Sequence, residues 1–505
     1  MPPLKDKWDI LSISYFQRKA SFYSRAWTKC GLHTITGSHK ITQSVDYSCN
    51  SFYTDGMSLA KDYLTQKKPM SAMLIFLIPI VLGNLFQQLY TIVDSAVVGR
   101  FVGAAALAAI GASYALTTVF IMVANGGGIG ASVIVSRYFG AKAYGRMKTA
   151  AFTAIFTFLG VSIMMGLLGL FFSRRLMLFF NTPAESLETA LVYLNIYFMG
   201  LPFLFMYNVF SCLFNAMGKS KIPLYFLIFS SVLNMALDIL FVTKFGWGVA
   251  GVAWATLIAQ GLSAVLSFIV YLRQIRDLTS ESFSLYDTKE LKDMVHLAIP
   301  SIFQQSTVSI GMLFVQGVVN SFGADALAGY SATLRLEQIA VVPMNSIGTA
   351  LSSYTAQNIG AGKLDRVRQG YRAAIILVAF FAIVDAAWME IFHASLVRLF
   401  MSDANPSAVA FNTGDDYIRY IGWFFGIIGL KMATDGLLRG AGDTFMFTLA
   451  NLVNLGLRVT LSVTLAPKYG IQLIWMVVPL GWLANFTVSF IGYASGKWKK
   501  AYSRF

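Results

Sequence analysis

The sequence predicts an all-α polytopic membrane protein with twelve transmembrane helices in two six-helix bundles. Three observations lead to this prediction. First, 56% of the 505 residues are hydrophobic and only 12% are charged, whereas about 25% are charged in soluble domains. Second, apolar stretches long enough to cross a bilayer recur along the chain. Third, a short phrase occurs twice at a constant separation, which indicates two related halves.

Twelve apolar stretches approach or exceed the roughly 20 residues that a bilayer crossing needs. They fall near 72–97, 107–133, 149–171, 190–215, 222–243 and 248–272, and then near 295–320, 330–355, 371–392, 415–438, 446–466 and 471–495. The longest polar interruption, 274–294, separates a first lobe at 70–273 from a second lobe at 295–495 and is interpreted as a cytoplasmic linker. An even number of spans returns the chain to the same side. We therefore expect a pseudo-two-fold axis along the membrane normal.

The repeated phrase follows the second span of each half. FGAKAYGR at 139–146 recurs as IGAGKLDR at 359–366, and GAAALAA at 103–109 recurs as GADALAG at 323–329. Gly permits a tight turn, and Arg146 and Arg366 are expected to hold the loops at the cytoplasmic face. An ordinary basic loop would explain the charge but not the repeated spelling.

The distribution of Lys and Arg predicts the orientation. Alternate loops, beginning with the segment before the first span, hold 22 of these residues. The opposite loops hold seven, which are Arg100, Arg174, Arg175, Lys244, Arg398, Arg419 and Lys468. Because cytoplasmic loops are rich in Lys and Arg, both termini are expected in the cytoplasm of a multi-pass protein of the cell (inner) membrane. The same bias accounts for the net charge of +15 without a nucleic-acid partner.

The termini lie outside this pattern. Residues 1–69 contain no apolar span and no signal peptide, and they are predicted to form a poorly ordered cytoplasmic tail; residues 496–505 form a second, short one. Met57 precedes MSLAKDYLTQKKPM, so both Met1 and Met57 are possible starts. The three cysteines show neither paired spacing nor a metal motif, which predicts no disulfide and no structural metal.

Two carboxylates within the first lobe are predicted to form an ion site. Asp94 and Asp238 each lie six residues before a basic residue that marks the outer boundary, so both are roughly 9 Å inside it. Asn234 is one helical turn before Asp238, and Thr256 can add a hydroxyl from span six. Intramembrane ionisable residues are functional candidates by default. These four residues permit either proton exchange or binding of Na⁺, and the alternative is that each Asp only joins two helices through a hydrogen bond.

The second lobe carries a different set of charges. Arg335 and Glu337 are two residues apart, so they do not face each other on one helix. They are expected to pair across helices or to contact the substrate. Lys431 and Asp435 are one turn apart and are expected to neutralise each other.

The chain resembles the multidrug and toxic compound extrusion (MATE) family over residues 70–495. Beside the doubled G-A-x-x-x-x-R loop, the resemblance rests on IPIVLGNLFQQLYTIVDSAVVGRFVG at 78–103, NMALDILFVTKFGWGVAGVAWAT at 234–256, LLRGAGDT at 437–444 and FNAMGKSKIP at 214–223. It implies the MATE fold, with two six-helix lobes around a central cavity. It also implies export of amphipathic, often cationic compounds in exchange for H⁺ or Na⁺.

The resemblance also implies residue roles. In the branch that is similar to DinF proteins, an Asp in span one, an Asn and an Asp in span five and a Thr in span six form the ion site. These positions match Asp94, Asn234, Asp238 and Thr256. Another branch places essential carboxylates in spans seven and ten, where this chain has Gln or apolar residues. The candidate cavity residues are Gln87, Gln88, Gln304, Gln305, Arg335 and Glu337.

Other functions remain open on the sequence alone. A lipid-linked saccharide flippase of the same superfamily would need basic residues for a pyrophosphate, and Arg335, Lys431 and Arg458 are available. An intramembrane enzyme or receptor is the second alternative, although the sequence has no Ser/His/Asp set and no H-E-x-x-H motif. Apart from H⁺ or Na⁺ we expect no cofactor. The expected partners are small molecules and membrane lipid, and the protein is expected to be a monomer.

Overall fold

The structure, a computed structural model, describes residues 62–179, 182, 184–276, 278, 281–401 and 407–499. These residues form helices and short connections, without a strand among them. The all-α prediction is confirmed. Most of the predicted N-terminal tail, residues 1–61, lies outside the described residues.

The first half forms one short helix and six long ones. They are α1 (Tyr63–Gln66), α2 (Pro69–Phe101), α3 (Ala104–Gly140), α4 (Tyr144–Phe179), α5 (Ala184–Ala216), α6 (Lys221–Ile239) and α7 (Gly248–Arg276). A π-helical turn, Leu240–Lys244, continues α6.

The second half forms seven helices. They are α8 (Thr288–Asn320), α9 (Ala324–Gly360), α10 (Leu364–Phe400), α11 (Ala408–Gly422), α12 (Phe425–Ala441), α13 (Thr444–Tyr469) and α14 (Gln472–Ala494). Among the described helices, ten are long and apolar enough to cross a membrane, and the α11–α12 pair, bent by 54°, makes eleven when it is counted as one span. The remaining long helix, α9, has 37 residues but includes Arg335 and Glu337. It covers the predicted span near 330–355.

The helix bounds repeat between the halves. Both ends of α9 lie 220 residues after the corresponding ends of α3, and α10 begins 220 residues after α4. Gly103 and Gly323, which directly precede α3 and α9, have φ values of +107° and +100°. Only Gly adopts such angles without strain, which explains why the repeat retains it at the start of both helices.

The linker between the lobes is shorter than predicted. Helix α7 continues to Arg276, and α8 already begins at Thr288. The Asp287 carboxylate caps α8 by accepting a hydrogen bond of 2.7 Å from the backbone N–H of Lys289. Helix α8 thus begins within the polar stretch, where the Asp287 cap stabilises its first turn.

The two lobes meet closely at one end of the bundle, which we call the closed end. A Cβ built on Gly140 would lie 2.0 Å from the Gln357 carbonyl oxygen, and one on Gly360 would lie 2.0 Å from the Arg137 carbonyl oxygen. Along the same interface, Gly130 packs against the backbone of Ala298. Small residues of this kind let helix backbones approach each other.

Residues 62–68, which we call the N-terminal strap, pack across the closed end. Tyr63 donates its hydroxyl to the Gly218 carbonyl of the first lobe at 2.8 Å. From the second lobe, Asn358 Nδ2 donates to the Leu64 carbonyl at 3.1 Å, and Arg366 Nη2 donates to the Lys67 carbonyl at 2.6 Å. The prediction of a poorly ordered tail up to residue 69 is wrong for the strap, because it is hydrogen-bonded to both lobes.

Candidate functional site

A cavity of about 850 Å³ lies between the two lobes. Helices of both halves contribute polar side chains to its wall, and long aliphatic side chains such as Ile121 and Leu455 contribute apolar surface. Four predicted cavity residues, Gln87, Gln88, Gln304 and Gln305, line this wall. Because each Gln amide has both a donor and an acceptor group, this wall can form hydrogen bonds with ligands that carry either kind of group.

Beside the cavity, α2 and α6 bring the carboxyl groups of Asp94 and Asp238 close enough to interact directly. Asp238 is only 1% exposed. One oxygen of each residue, Oδ1, has no hydrogen-bond partner among the described residues. Two adjacent carboxylates repel each other in a medium of low dielectric constant, so this arrangement favours one shared proton or one bound cation.

Asn234 connects the carboxyl pair with the cavity. The Asn234 amide is oriented so that its nitrogen faces acceptors and its oxygen faces a donor. In this orientation Nδ2 donates to Asp238 Oδ2 at 3.2 Å and to the Tyr90 hydroxyl, and Oδ1 accepts from the backbone N–H of Thr256 at 3.1 Å. Asn234, Tyr90 and Thr256 all line the cavity, whereas Asp94 and Asp238 are not among its lining residues. The structure thus brings the four predicted ion-site residues together.

The chain geometry after Asp238 is unusual. Helix α6 ends at Ile239 and changes into the π-helical turn Leu240–Lys244. Such turns are rare and frequently occur at functional sites, because the extra residue shifts the register of the side chains that follow.

Sequence reasoning missed two tyrosines at this site. Tyr90 and Tyr193 both interact electrostatically with the Asp94 and Asp238 carboxyl groups. Tyr90 could have been found, because it lies one helical turn before Asp94 on the same helix face. Tyr193 belongs to α5, and no local pattern connects it with the acidic residues.

The oxygens of the site suit a proton or a hard cation. In the part of the chain that the structure describes, there is no group of three or more His, Cys, Asp and Glu side chains that could hold a metal ion. Na⁺, in contrast, is a hard cation that takes carboxylate, amide and hydroxyl oxygens, as Asp94, Asp238, Asn234 and Thr256 offer. The partnerless Oδ1 atoms fit either role.

In the second lobe, Lys431 and Asp435 form a buried ion pair. Lys431 Nζ lies 3.2 Å from Asp435 Oδ2, and both side chains are 2% exposed. The Ser489 hydroxyl donates to Asp435 Oδ1 at 2.5 Å. The prediction that these two charges neutralise each other is confirmed.

Arg335 and Glu337 have different surroundings. Glu337 is buried, lines the cavity and accepts a hydrogen bond of 3.0 Å from the Tyr417 hydroxyl. Arg335 is exposed and lies outside the lining of the cavity. The assignment of Arg335 to the cavity is therefore wrong for this structure, because residues two apart on a helix point in different directions.

A family model, MatE, matches residues 79–240 and 300–464, most of both lobes. The chain belongs to the MatE family. This MatE chain is 31% identical over 440 residues to the probable multidrug resistance protein YpnP of Bacillus subtilis, covering 86% of this chain and 97% of YpnP. Its identity to the probable multidrug resistance protein YoeA of the same organism is 28% over 455 residues, covering 86% and 96%.

The fold of this MatE protein also matches solved structures. One of them, described as the outward-facing conformation of a multidrug resistance MATE family transporter of the MOP superfamily, aligns with a TM-score of 0.79. The sequence identity is 22%, and the alignment covers 86% of this chain and 96% of that one. The MATE resemblance and the MATE fold are thus confirmed, and the protein is a membrane-embedded member of a transporter family.

Proposed function

We propose that this protein is a secondary active multidrug efflux antiporter of the cell membrane, similar to the DinF branch, which exports amphipathic and often cationic compounds in exchange for H⁺ or Na⁺. The observation that carries the proposal is the Asp94–Asp238 pair, which Asn234 connects with the wall of the inter-lobe cavity. The cavity volume of about 850 Å³ suits a drug-sized ligand. Pockets for such ligands measure about 300–1,000 Å³.

The carboxyl pair supplies the coupling. An ion can drive a conformational change only if it binds one state better than the other. Asp94 and Asp238 bind a proton or Na⁺ while the outer side is open, and the bound charge removes the repulsion that would oppose enclosure of both carboxylates. Asn234 transmits the change in charge at the carboxyl pair to the cavity, because it donates a hydrogen bond to Asp238 and lines the cavity.

We further infer that the closed end faces the cytoplasm, so that the cavity is in its outward-open state and a single chain forms the transport unit. The 22-to-7 distribution of Lys and Arg supports this orientation. Exposed Arg146 and Arg368 lie on this face. In a chain whose three cysteines are replaced by Ser, Arg146→Cys and Arg368→Cys should react with a membrane-impermeant maleimide only after the cells are opened. Labelling of either cysteine in intact cells would show that the closed end faces the outside instead.

The coupling proposal is tested in proteoliposomes that carry an imposed proton gradient or, separately, an imposed sodium gradient. Efflux of ethidium should follow one of the two gradients in the unmodified protein. The double variant Asp94→Asn, Asp238→Asn should lose gradient-driven efflux yet keep ethidium binding, since Asn retains the shape of Asp. Asp385→Asn is the matched control, because Asp385 is a buried carboxyl of α10 that does not line the cavity. Full gradient-driven efflux by the double variant would end the proposal.

A further inference from the structure

We propose that the second-lobe wall of the cavity is an oxyanion site, in which Arg458 binds a carboxylate or phosphate group of the transported compound. The inference deepens the proposed efflux function and rests on it. It selects, among amphipathic compounds, those that carry an acidic group beside their apolar body.

Arg458 is the central observation. It belongs to α13, is 6% exposed and lines the cavity. Its Nε and Nη2 atoms have no hydrogen-bond partner among the described residues. Arg458 also takes part in none of the ion pairs within the described chain. A buried guanidinium has five N–H donors and remains charged, so unused donors that face a cavity favour an acceptor that enters from it.

Neighbouring groups engage only part of the Arg458 guanidinium. The Tyr330 hydroxyl and the Glu337 carboxylate both interact with it, yet Nε and Nη2 keep no hydrogen-bond partner among the described residues. Glu337, however, is engaged by the Tyr417 hydroxyl at 3.0 Å. Helix α8 presents Gly311 to this region, where a built Cβ would lie 3.8 Å from Arg458 Cδ. The absence of a side chain at Gly311 keeps the arginine accessible from the cavity.

The charge of the lining supports the same conclusion. The charged residues that line the cavity, among those the structure describes, are Glu337, Lys431, Asp435, Arg439 and Arg458. Because Lys431 and Asp435 neutralise each other at 3.2 Å, one carboxylate remains against two arginines, which leaves the wall one positive charge in excess. A cavity that received only cations would gain nothing from this excess, whereas an oxyanion would be attracted by it.

The chemistry of the group follows from the side chain. Guanidinium groups bind carboxylates and phosphates through two parallel hydrogen bonds, which are stronger than bonds between neutral groups. The apolar wall around Leu455 and Trp482 suits an aromatic body beside the acidic group. The site therefore fits a zwitterionic or anionic amphiphile.

The test uses two dyes that share one chromophore. Rhodamine 110 carries a free carboxyl group, and rhodamine 123 is its methyl ester. Binding to the purified full-length protein in detergent is measured by fluorescence anisotropy. The unmodified protein should bind the acid at least about threefold more tightly than the ester. Arg458→Gln should weaken binding of the acid about tenfold or more, the loss expected for a hydrogen bond to a charged group, and change binding of the ester less than about twofold.

Two further variants make the result specific. Arg458→Lys retains the charge but not the paired donors, so it should recover part of the affinity for the acid. Arg335→Gln removes an exposed cation of the same lobe and should change neither affinity. If Arg458→Gln does not fold, the acid-to-ester ratio of the unmodified protein and of Arg458→Lys still decides. Tighter binding of the ester by the unmodified protein, or equal losses for both dyes in Arg458→Gln, would overturn the inference.

Binding of the two dyes, measured beside dye export from proteoliposomes, separates the two proposals. Gradient-driven export of ethidium or rhodamine 123 without tighter binding of rhodamine 110 would leave the efflux function intact and reject the oxyanion site. Absence of gradient-driven export of every dye would reject the efflux function.

Competition by small oxyanions separates the two sources of the acidic group. Hexyl phosphate and hexanoate then compete with rhodamine 110 for the site. If hexyl phosphate displaces the dye at the lower concentration, the natural acidic group is a phosphate, such as that of a lipid headgroup. The reverse order would support the site with a carboxylate.

Discussion

Gly140 of α3 lies directly against Gln357 of α9, with only 2.0 Å between a Cβ built at position 140 and the Gln357 carbonyl oxygen. Its counterpart Gly360 meets Arg137 at the same distance. These two glycines are the repeated residues of the doubled phrase. The repeat therefore provides the close approach of the two lobes at the closed end, in addition to the loop turns expected from the sequence.

The first prediction concerns this contact. Gly140→Ala and Gly360→Ala should each destabilise the protein by about 1–3 kcal/mol, the cost of overpacking at a tight site. The expected result is a lower Tm of the purified protein, measured as the loss of the monodisperse peak in size-exclusion chromatography after heating. Gly317→Ala is the control, because a Cβ at Gly317 meets nothing within 4 Å. Equal Tm values for all three variants would mean that the lobes do not meet at these glycines.

The second prediction concerns Tyr90. Tyr90→Phe removes the hydroxyl that contacts Asn234 beside the carboxyl pair, so gradient-driven efflux should fall about threefold to tenfold while the membrane level stays unchanged. The loss corresponds to one hydrogen bond of about 0.5–1.5 kcal/mol. Tyr225→Phe, at a side chain that is 64% exposed, should have no effect. Unchanged efflux rates in Tyr90→Phe would remove this tyrosine from the site.

The third prediction concerns the buried ion pair. Lys431→Met should cost about 3–5 kcal/mol, because it leaves the Asp435 carboxylate buried without its partner. The reversed pair, Lys431→Asp with Asp435→Lys, should recover much of the stability and transport that either single reversal loses. Tm and dye efflux of the two single reversals and the double reversal provide the measurement. A double reversal as inactive as the singles would show that mutual neutralisation is the wrong explanation.

The fourth prediction concerns the N-terminal strap. A chain that begins at Met57 retains residues 62–68 and should insert and transport normally, whereas one that begins at Met70 loses the hydrogen bonds from Tyr63, Leu64 and Lys67 to the two lobes. The shorter chain should have a lower Tm and slower efflux at equal membrane level. Normal efflux by the Met70 chain would show that the strap is dispensable, and loss of efflux by the Met57 chain would show that residues 1–56 are not.

Much of the candidate site could be predicted from the sequence, because its residues lie on short stretches with a helical period. Asp94, Asp238, Asn234 and Thr256 were expected together from their depth and spacing, and the structure brings them together. Tyr90 was accessible to the same reasoning. Tyr193 was not, since its interaction with the carboxyl pair depends on where the tertiary fold places α5 relative to Asp94 and Asp238.

By itself, the sequence determined the helical class, the spans, the two halves and the local Lys431–Asp435 pair, because hydropathy and the 3.6-residue period are local properties of the chain. Only the tertiary structure decided which side chains face the cavity. It places Arg335 outside the cavity lining and leaves Arg458 Nε and Nη2 without a hydrogen-bond partner among the described residues. It also bends the tenth span by 54° and packs the strap across both lobes. These features arise from contacts between helices that are far apart in the chain. Such contacts produce no periodic pattern in the sequence of any one helix, so the sequence alone does not reveal them.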